Sequence, residues 1–260
     1  MRYIVLLKAM MKKNYLLLRR YPFNLISGLL SLFIIFLVIF YGAKALVGGN
    51  PTFGNTLPGI VVGFLLWSFV IFAFSDLTSD FINEAQQGTL EQLYMSPLGF
   101  GWVSLSYVLT WLAINLTITL GMLFLMMAAT GQWLHVDLVS LIPLMLLTVW
   151  GIYGFGFAMG GLALVFKQVQ AAFQILQFVW IVLIIAASYL DKFPLLKLLP
   201  LSWGTNLISR VMVGGESIFQ MPLSDLLFLI ANSAVYFSLG FLAFKYFEGV
   251  ARDRGLLGHY

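Results

Sequence analysis

Six long apolar segments, joined by short polar connections, organise this chain: Phe23–Ala43, Leu57–Ser75, Val103–Thr130, Leu141–Phe166, Ala171–Tyr189 and Leu226–Phe247. A membrane-spanning helix needs about 20 predominantly apolar residues. The pattern therefore predicts an all-α polytopic membrane protein with six transmembrane helices. The third and fourth segments exceed the minimum and are expected to tilt or to project beyond the hydrocarbon.

Two stretches interrupt this rhythm. Between Phe81 and Pro97 the chain reads FINEAQQGTLEQLYMSP, a polar, glycine-punctured helix pattern set between two greasy segments. From Asp191 to Ser224 it is longer than a simple turn and broken by Pro194, Pro200 and Pro222, with room for a short helix over Trp203–Val213. Short mixed stretches bounded by proline and glycine suggest an interfacial or re-entrant element. A seventh crossing over Leu195–Val213 competes with that reading, but Pro200, Asn206 and Arg210 interrupt it. The expected organisation is an interface helix over 1–21 and a transmembrane domain over 22–260. The latter contains a cytoplasmic coupling helix at 81–97 and a broken outer segment at 191–224.

Composition gives the same answer. Of 260 residues, 61% are hydrophobic and only 9% charged, with a mean hydropathy of +0.98. A soluble domain carries about 25% charged residues, so this chain cannot cover its surface with polar groups. The length fits one compact membrane domain. A formal charge of +4 raises the question of nucleic acid, but the lysines and arginines flank apolar spans and form no basic groove. Cysteine is absent, which excludes disulfides, thiolate nucleophiles and zinc–sulfur sites. The first apolar run is too long for a signal peptide and should remain as the first crossing.

Six crossings place both termini on one side, and basic residues choose it. With the N-terminus in the cytoplasm, the inner segments hold Arg2, Lys8, Lys12, Lys13, Arg19, Arg20, Lys167, Lys245, Arg252 and Arg254. The outer segments hold only Lys44, Lys192, Lys197 and Arg210. The bias predicts an N-in, C-in arrangement.

The first twenty residues read as a basic amphipathic helix. At 100° per residue its six cations fall within an arc of about 140°. Ile4, Leu7, Met11, Tyr15 and Leu18 lie opposite. Such a helix rests at the headgroups with its cations toward anionic lipid. Pro22 then starts the first crossing. This helix is either an orientation anchor or a lever that feels a cytoplasmic partner, with Lys8, Lys12, Lys13, Arg19 and Arg20 as its contact residues.

In the 81–97 stretch, Gly88 relaxes one helical piece and Thr89 can cap the next. Glu91 sits near that second N-terminus, where negative charge is favoured. Leu90, Leu93 and Tyr94 share a side, while Glu84 and Glu91 stay available to water or a basic partner. A solvated connector needs no such order; a docking element does.

Glu84, the run Gly88-Thr89-Leu90-Glu91, Leu93 and Ser96-Pro97 resemble the signature between the second and third helices of ABC-2 type transporter permeases. These are the membrane subunits of ATP-binding cassette exporters. The basic N-terminal helix, six spans and broken outer segment are similar to that family in organisation. The resemblance implies that Glu84, Gly88, Thr89, Leu90, Glu91 and Leu93 dock a separate ABC ATP-binding subunit, which would hold Mg-ATP. It further implies two permease copies, most simply a homodimer, in a prokaryotic plasma or inner membrane. Ala85, Gln86 and Gln87 stand where relatives carry more charge, which shifts the docking surface toward packing and hydrogen bonds.

The residues themselves fit a subunit that borrows its energy. No glycine-rich loop ends in Gly-Lys-Ser or Gly-Lys-Thr, so the chain has no P-loop for ATP phosphates and needs no cofactor of its own. Gln174 and Gln177 lie one turn apart in the fifth span and are candidates for the wall of a translocation route, with Asn115 and Asn232 behind them. Gly156 and Gly160 form a small-xxx-small pair for close helix packing, in a helix that also carries Gly151, Gly154 and Gly161. Asp76 and Asp80 are expected to be solvated at the end of the second span, Asp225 to cap the last one, and His135 beside Asp137 to have no metal role. Ser209 beside Arg210 is too little for catalysis, and no HExxH or G-x-S-x-G motif occurs. The expected function is export of a hydrophobic or amphiphilic cargo, a drug-like molecule or lipid, with a lipid-linked polysaccharide as alternative. A gradient-driven secondary carrier and a membrane assembly scaffold are the readings from other classes.

Overall fold

The computed structural model describes residues 2–46, 57–86, 95–166 and 169–253. They fold into eight α-helices, with no strand among them. In chain order these are α1 (Arg2–Arg20), α2 (Pro22–Leu46), α3 (Leu57–Gln86), α4 (Phe100–Thr130), α5 (Leu138–Val165), α6 (Gln170–Ala186), α7 (Ser202–Met212) and α8 (Leu223–Asp253). Six of them, all but α1 and α7, are long and apolar enough to cross a membrane. The chain is a multi-pass membrane protein.

Local chemistry sets several helix ends. Pro22 occupies the first position of α2, where its missing N–H costs nothing. Asp137 caps α5, its carboxylate accepting from the Val139 N–H at 3.2 Å. Gly131 ends α4 in the left-handed region at φ 71°, and its N–H returns to the Met127 carbonyl. The return from the polar stretch begins as helix at Phe100, after Gly99 at φ 79°, three residues later than Pro97 alone suggests.

α5 is the central helix, carrying buried residues along its whole length. Its most extensive partner is α8. Gly151, Gly154 and Gly161 face Ser233, Tyr236, Phe237 and Phe244, and Gly240 of α8 lies directly against the Gly154 backbone. A Cβ on either member of that pair would overlap the other helix's main chain, so glycine is a steric requirement there. Ser233 reinforces the contact by donating to the Leu147 carbonyl at 2.6 Å. Gly156, expected to pack a helix as a pair with Gly160, instead presents its carbonyl to Thr78 of α3 at 3.2 Å. Gly151, Gly154 and Gly161 thus admit α8, while Gly156 meets α3.

Two ends of the bundle can be told apart. At one, α1 lies on the start of α4, and Phe100 stacks on Phe244 near the end of α8. At the other, the Tyr41 hydroxyl of α2 donates to the Ala129 carbonyl at 2.8 Å, and the His135 N–H donates to the Met212 carbonyl at 2.9 Å. The broken segment sits at this second end. It consists of 3-10 turns at Ala187–Tyr189, Pro194–Leu198 and Ile218–Gln220 around the eleven-residue α7. α7 is too short to cross and packs on α3, α5 and α6, which removes the seventh-crossing reading.

Candidate functional site

The polar stretch begins as a continuation of the second span. α3 runs unbroken for 30 residues, from Leu57 through Glu84 to Gln86. At 1.5 Å per residue that is about 45 Å, against about 30 Å of hydrocarbon. Gly88, Thr89, Leu90, Glu91 and Leu93 lie outside the described residues.

α1 meets α4 through a face that amphipathic spacing alone did not reveal. Met10 and Asn14 are its buried residues, and Tyr3 packs against Trp102 at 4.7 Å between ring centroids. Lys13, one of the expected interface cations, is itself exposed and reaches across the contact to donate to the buried Tyr107 hydroxyl at 3.0 Å. Lys8, Lys12, Arg19 and Arg20 are exposed, as are Ile4, Met11 and Tyr15 on the apolar arc. The helix therefore has three faces rather than two: cationic, apolar and protein-facing.

From Lys13 a line of polar contacts descends into the bundle. Tyr107, Trp111 and Asn115 follow one another at single-turn spacing on α4. Trp111 Nε1 donates to Asp80 at 2.6 Å, and Asn115 Nδ2 donates to Asp76 at 2.6 Å. Both aspartates lie in the last turns of the second span, as expected, but they are held by donors on α4, so the expectation of solvated carboxylates is corrected. The reason is that a carboxylate at such depth needs donors, and the neighbouring helix supplies them. Asn115 is engaged in this way, and Asn232 donates to the Leu198 carbonyl at 2.9 Å. The signal was present in the spacing: in an antiparallel pair, stepping back from Asp80 to Asp76 matches stepping forward from Trp111 to Asn115.

Gln174 and Gln177 occupy the first turns of α6. Gln174 is exposed and Gln177 half-buried, while Phe173, Trp180 and Ile184 of the same helix face α3 and the core. Gln174 thus lies away from the α6–α3 contact, whereas Gln177, one turn after Phe173, lies along the same side as Phe173, Trp180 and Ile184.

At the opposite end, Arg210 of α7 gathers two carboxylates. Its Nη2 lies 2.7 Å from Glu216 and its Nη1 3.3 Å from Asp225 in the first turn of α8. The Glu216 hydrogen bond, opposed by partial burial and aided by Asp225, raises the guanidinium further above its ordinary value. Asp225 thereby joins α8 to the broken 191–224 segment as well as favouring its helix start. No cluster of three or more metal-ligating side chains occurs among the described residues.

No protein-family model matches this chain, and no curated protein matches it in sequence.

Proposed function

We propose that this chain is the membrane subunit of an ATP-driven exporter that moves a hydrophobic or amphiphilic cargo, a drug-like molecule or lipid, outward. It works as a pair of copies with a separate ATP-binding subunit. Glu84, Gly88, Thr89, Leu90, Glu91 and Leu93 form the docking element at the cytoplasmic end. The carrying observation is the 84–97 sequence pattern placed at the far end of α3, a continuous helix about 15 Å longer than the hydrocarbon is thick.

The bracing around that end supports the reading. Asp76 and Asp80 hold α3 to α4, and Lys13 holds α4 to α1. Force applied to the 84–97 stretch is therefore shared by three helices, which a solvated connector has no need to arrange. The exposure of Gln174 supports a second copy or a wet passage beside α6, since amides at membrane depth disfavour lipid.

Purification from native membranes, with identification of every chain bound, tests the proposal directly. An ATP-binding chain should co-purify, and Glu91→Lys should separate its ATP hydrolysis from cargo movement while membrane insertion is kept. Uphill movement by the isolated chain without nucleotide would overturn the reading in favour of a secondary carrier. Stable partner binding with no cargo-dependent ATP turnover would favour a scaffold.

A further inference from the structure

A groove of about 620 Å3 runs between the start of α4 and the end of α8, at the end of the bundle where α1 lies. On α8, Phe237, Phe241, Lys245, Glu248 and Arg252 recur every three or four residues and so form one stripe, about 22 Å long. The chemistry changes along it. Toward the middle of the bundle the groove is aromatic. Phe157 of α5 stands edge-on to Phe237 and Phe241 there, with ring centroids 5.8 and 5.3 Å apart. At the helix end the groove is charged, with Lys245, Glu248 and Arg252 on one wall. Gly249 keeps that end wide, since a Cβ there would meet open space.

These cations are not consumed within the fold. Lys245 and Arg252 are exposed, and among the described residues neither forms an ion pair. Lys245 Nζ lies 5.3 Å from the Phe241 ring centroid, which sets one cation where the aromatic part meets the charged part. Glu248 is half-buried between the two basic residues in the stripe. Two cations against one carboxylate leave the lining one net positive charge. A ligand that matches this order has an apolar tail, then a single negative charge, then a group that can donate to a carboxylate. Lys245 and Arg252 also belong to the set whose bias places this end in the cytoplasm. Basic pockets between transmembrane helices on that side suit anionic lipid headgroups.

We infer that the groove binds one phospholipid with a singly anionic, hydroxyl-bearing headgroup, of the phosphatidylglycerol type. Its phosphodiester lies between Lys245 and Arg252, and its headgroup hydroxyls donate to Glu248. One acyl chain follows Phe241 and Phe237 over Phe157. The lipid thereby bridges α4 and α8 beside the stack of Phe100 on Phe244. The site needs only a membrane-embedded bundle and does not depend on the exporter reading.

The test takes the full chain, delipidated in mild detergent, and titrates it with phosphatidylglycerol, phosphatidylcholine or phosphatidylethanolamine of identical acyl chains. Native mass spectrometry reads the bound lipid. One phosphatidylglycerol should be retained per chain, with a Kd about tenfold below that of either zwitterionic lipid. Lys245→Gln and Arg252→Gln should each raise that Kd about fivefold. Lys12→Gln, which removes an exposed cation of α1, should leave it unchanged. Gly249→Leu should abolish retention by filling the groove, whereas Gly249→Ala should keep it. The two charge variants alter exposed side chains and carry the test if Gly249→Leu does not fold. Equal retention of all three lipids would overturn the inference and leave an ordinary boundary lipid. Tighter binding of phosphatidylethanolamine would overturn it in favour of an ammonium drawn by Glu248. An equal loss in Lys12→Gln would overturn it in favour of diffuse surface charge.

Discussion

Asn115 of α4 donates its side-chain N–H to the Asp76 carboxylate of α3 at 2.6 Å, within the spanning segments of both helices. Interhelical side-chain hydrogen bonds within membranes average about 0.6 kcal/mol and reach about 1.7, and a bond this short belongs toward the upper end. A double-mutant cycle of Asp76→Asn and Asn115→Leu should return a coupling energy above about 1 kcal/mol, read from unfolding in mixed micelles. A value near zero would mean that water or lipid headgroups already satisfy the carboxylate.

Packing of α5 on α8 rests on the Gly154–Gly240 contact. Gly240→Ala should lower the thermal midpoint of the solubilised protein sharply, with a cost of about 2 kcal/mol or more from the forced separation of two backbones. Gly28→Ala serves as the control, because a Cβ there meets open space and alanine is the better helix former. Equal effects of the two substitutions would refute the close approach.

The three contacts of Arg210 should hold the outer segment to α8. Because its guanidinium is raised in the fold, its contribution is complete below the ordinary arginine value and is withdrawn only above the raised one. Between neutrality and about pH 10 the segment should stay equally protected, since arginine remains charged throughout. Arg210→Gln should increase limited proteolysis between Val213 and Met221 severalfold. The ion pairs are partly exposed, so the global cost should not exceed about 1 kcal/mol.

Lys13 and Tyr107 join α1 to α4. Lys13→Met should loosen the N-terminal helix, seen as faster amide exchange over Arg2–Arg20 with little change in α4. Lys12→Met, which removes an exposed cation, should leave that exchange unaltered. If the two variants behave alike, α1 is held by lipid charge alone.

Much of the architecture was readable from residue order. Unbroken apolar runs marked the six spans, and the prolines of the 191–224 stretch marked a helix too short to cross. Pro22 and Asp137 announced helix starts through chemistry local to each. The fate of Asp76 and Asp80 was less open to inspection, because it depended on which helix would lie opposite them. Gly154 was visible only as one of five glycines in α5, and nothing along the chain distinguished it from Gly156. The bond from Lys13 to Tyr107 was hidden for a similar reason, since a helical wheel shows an arc of cations and not which edge of it meets protein.

Residue order by itself determined that this protein lives in a membrane, how many times it can cross, and where its polar interruptions fall. Those properties follow from hydrophobic length and backbone chemistry, which act over one turn or one span. Tertiary structure alone decided that Asp76 and Asp80 find donors on α4, that Gly154 admits α8, and that Gly156 meets α3. Each of these joins residues far apart in the chain, and packing selects such partners by steric fit and by the cost of leaving a polar group unpaired.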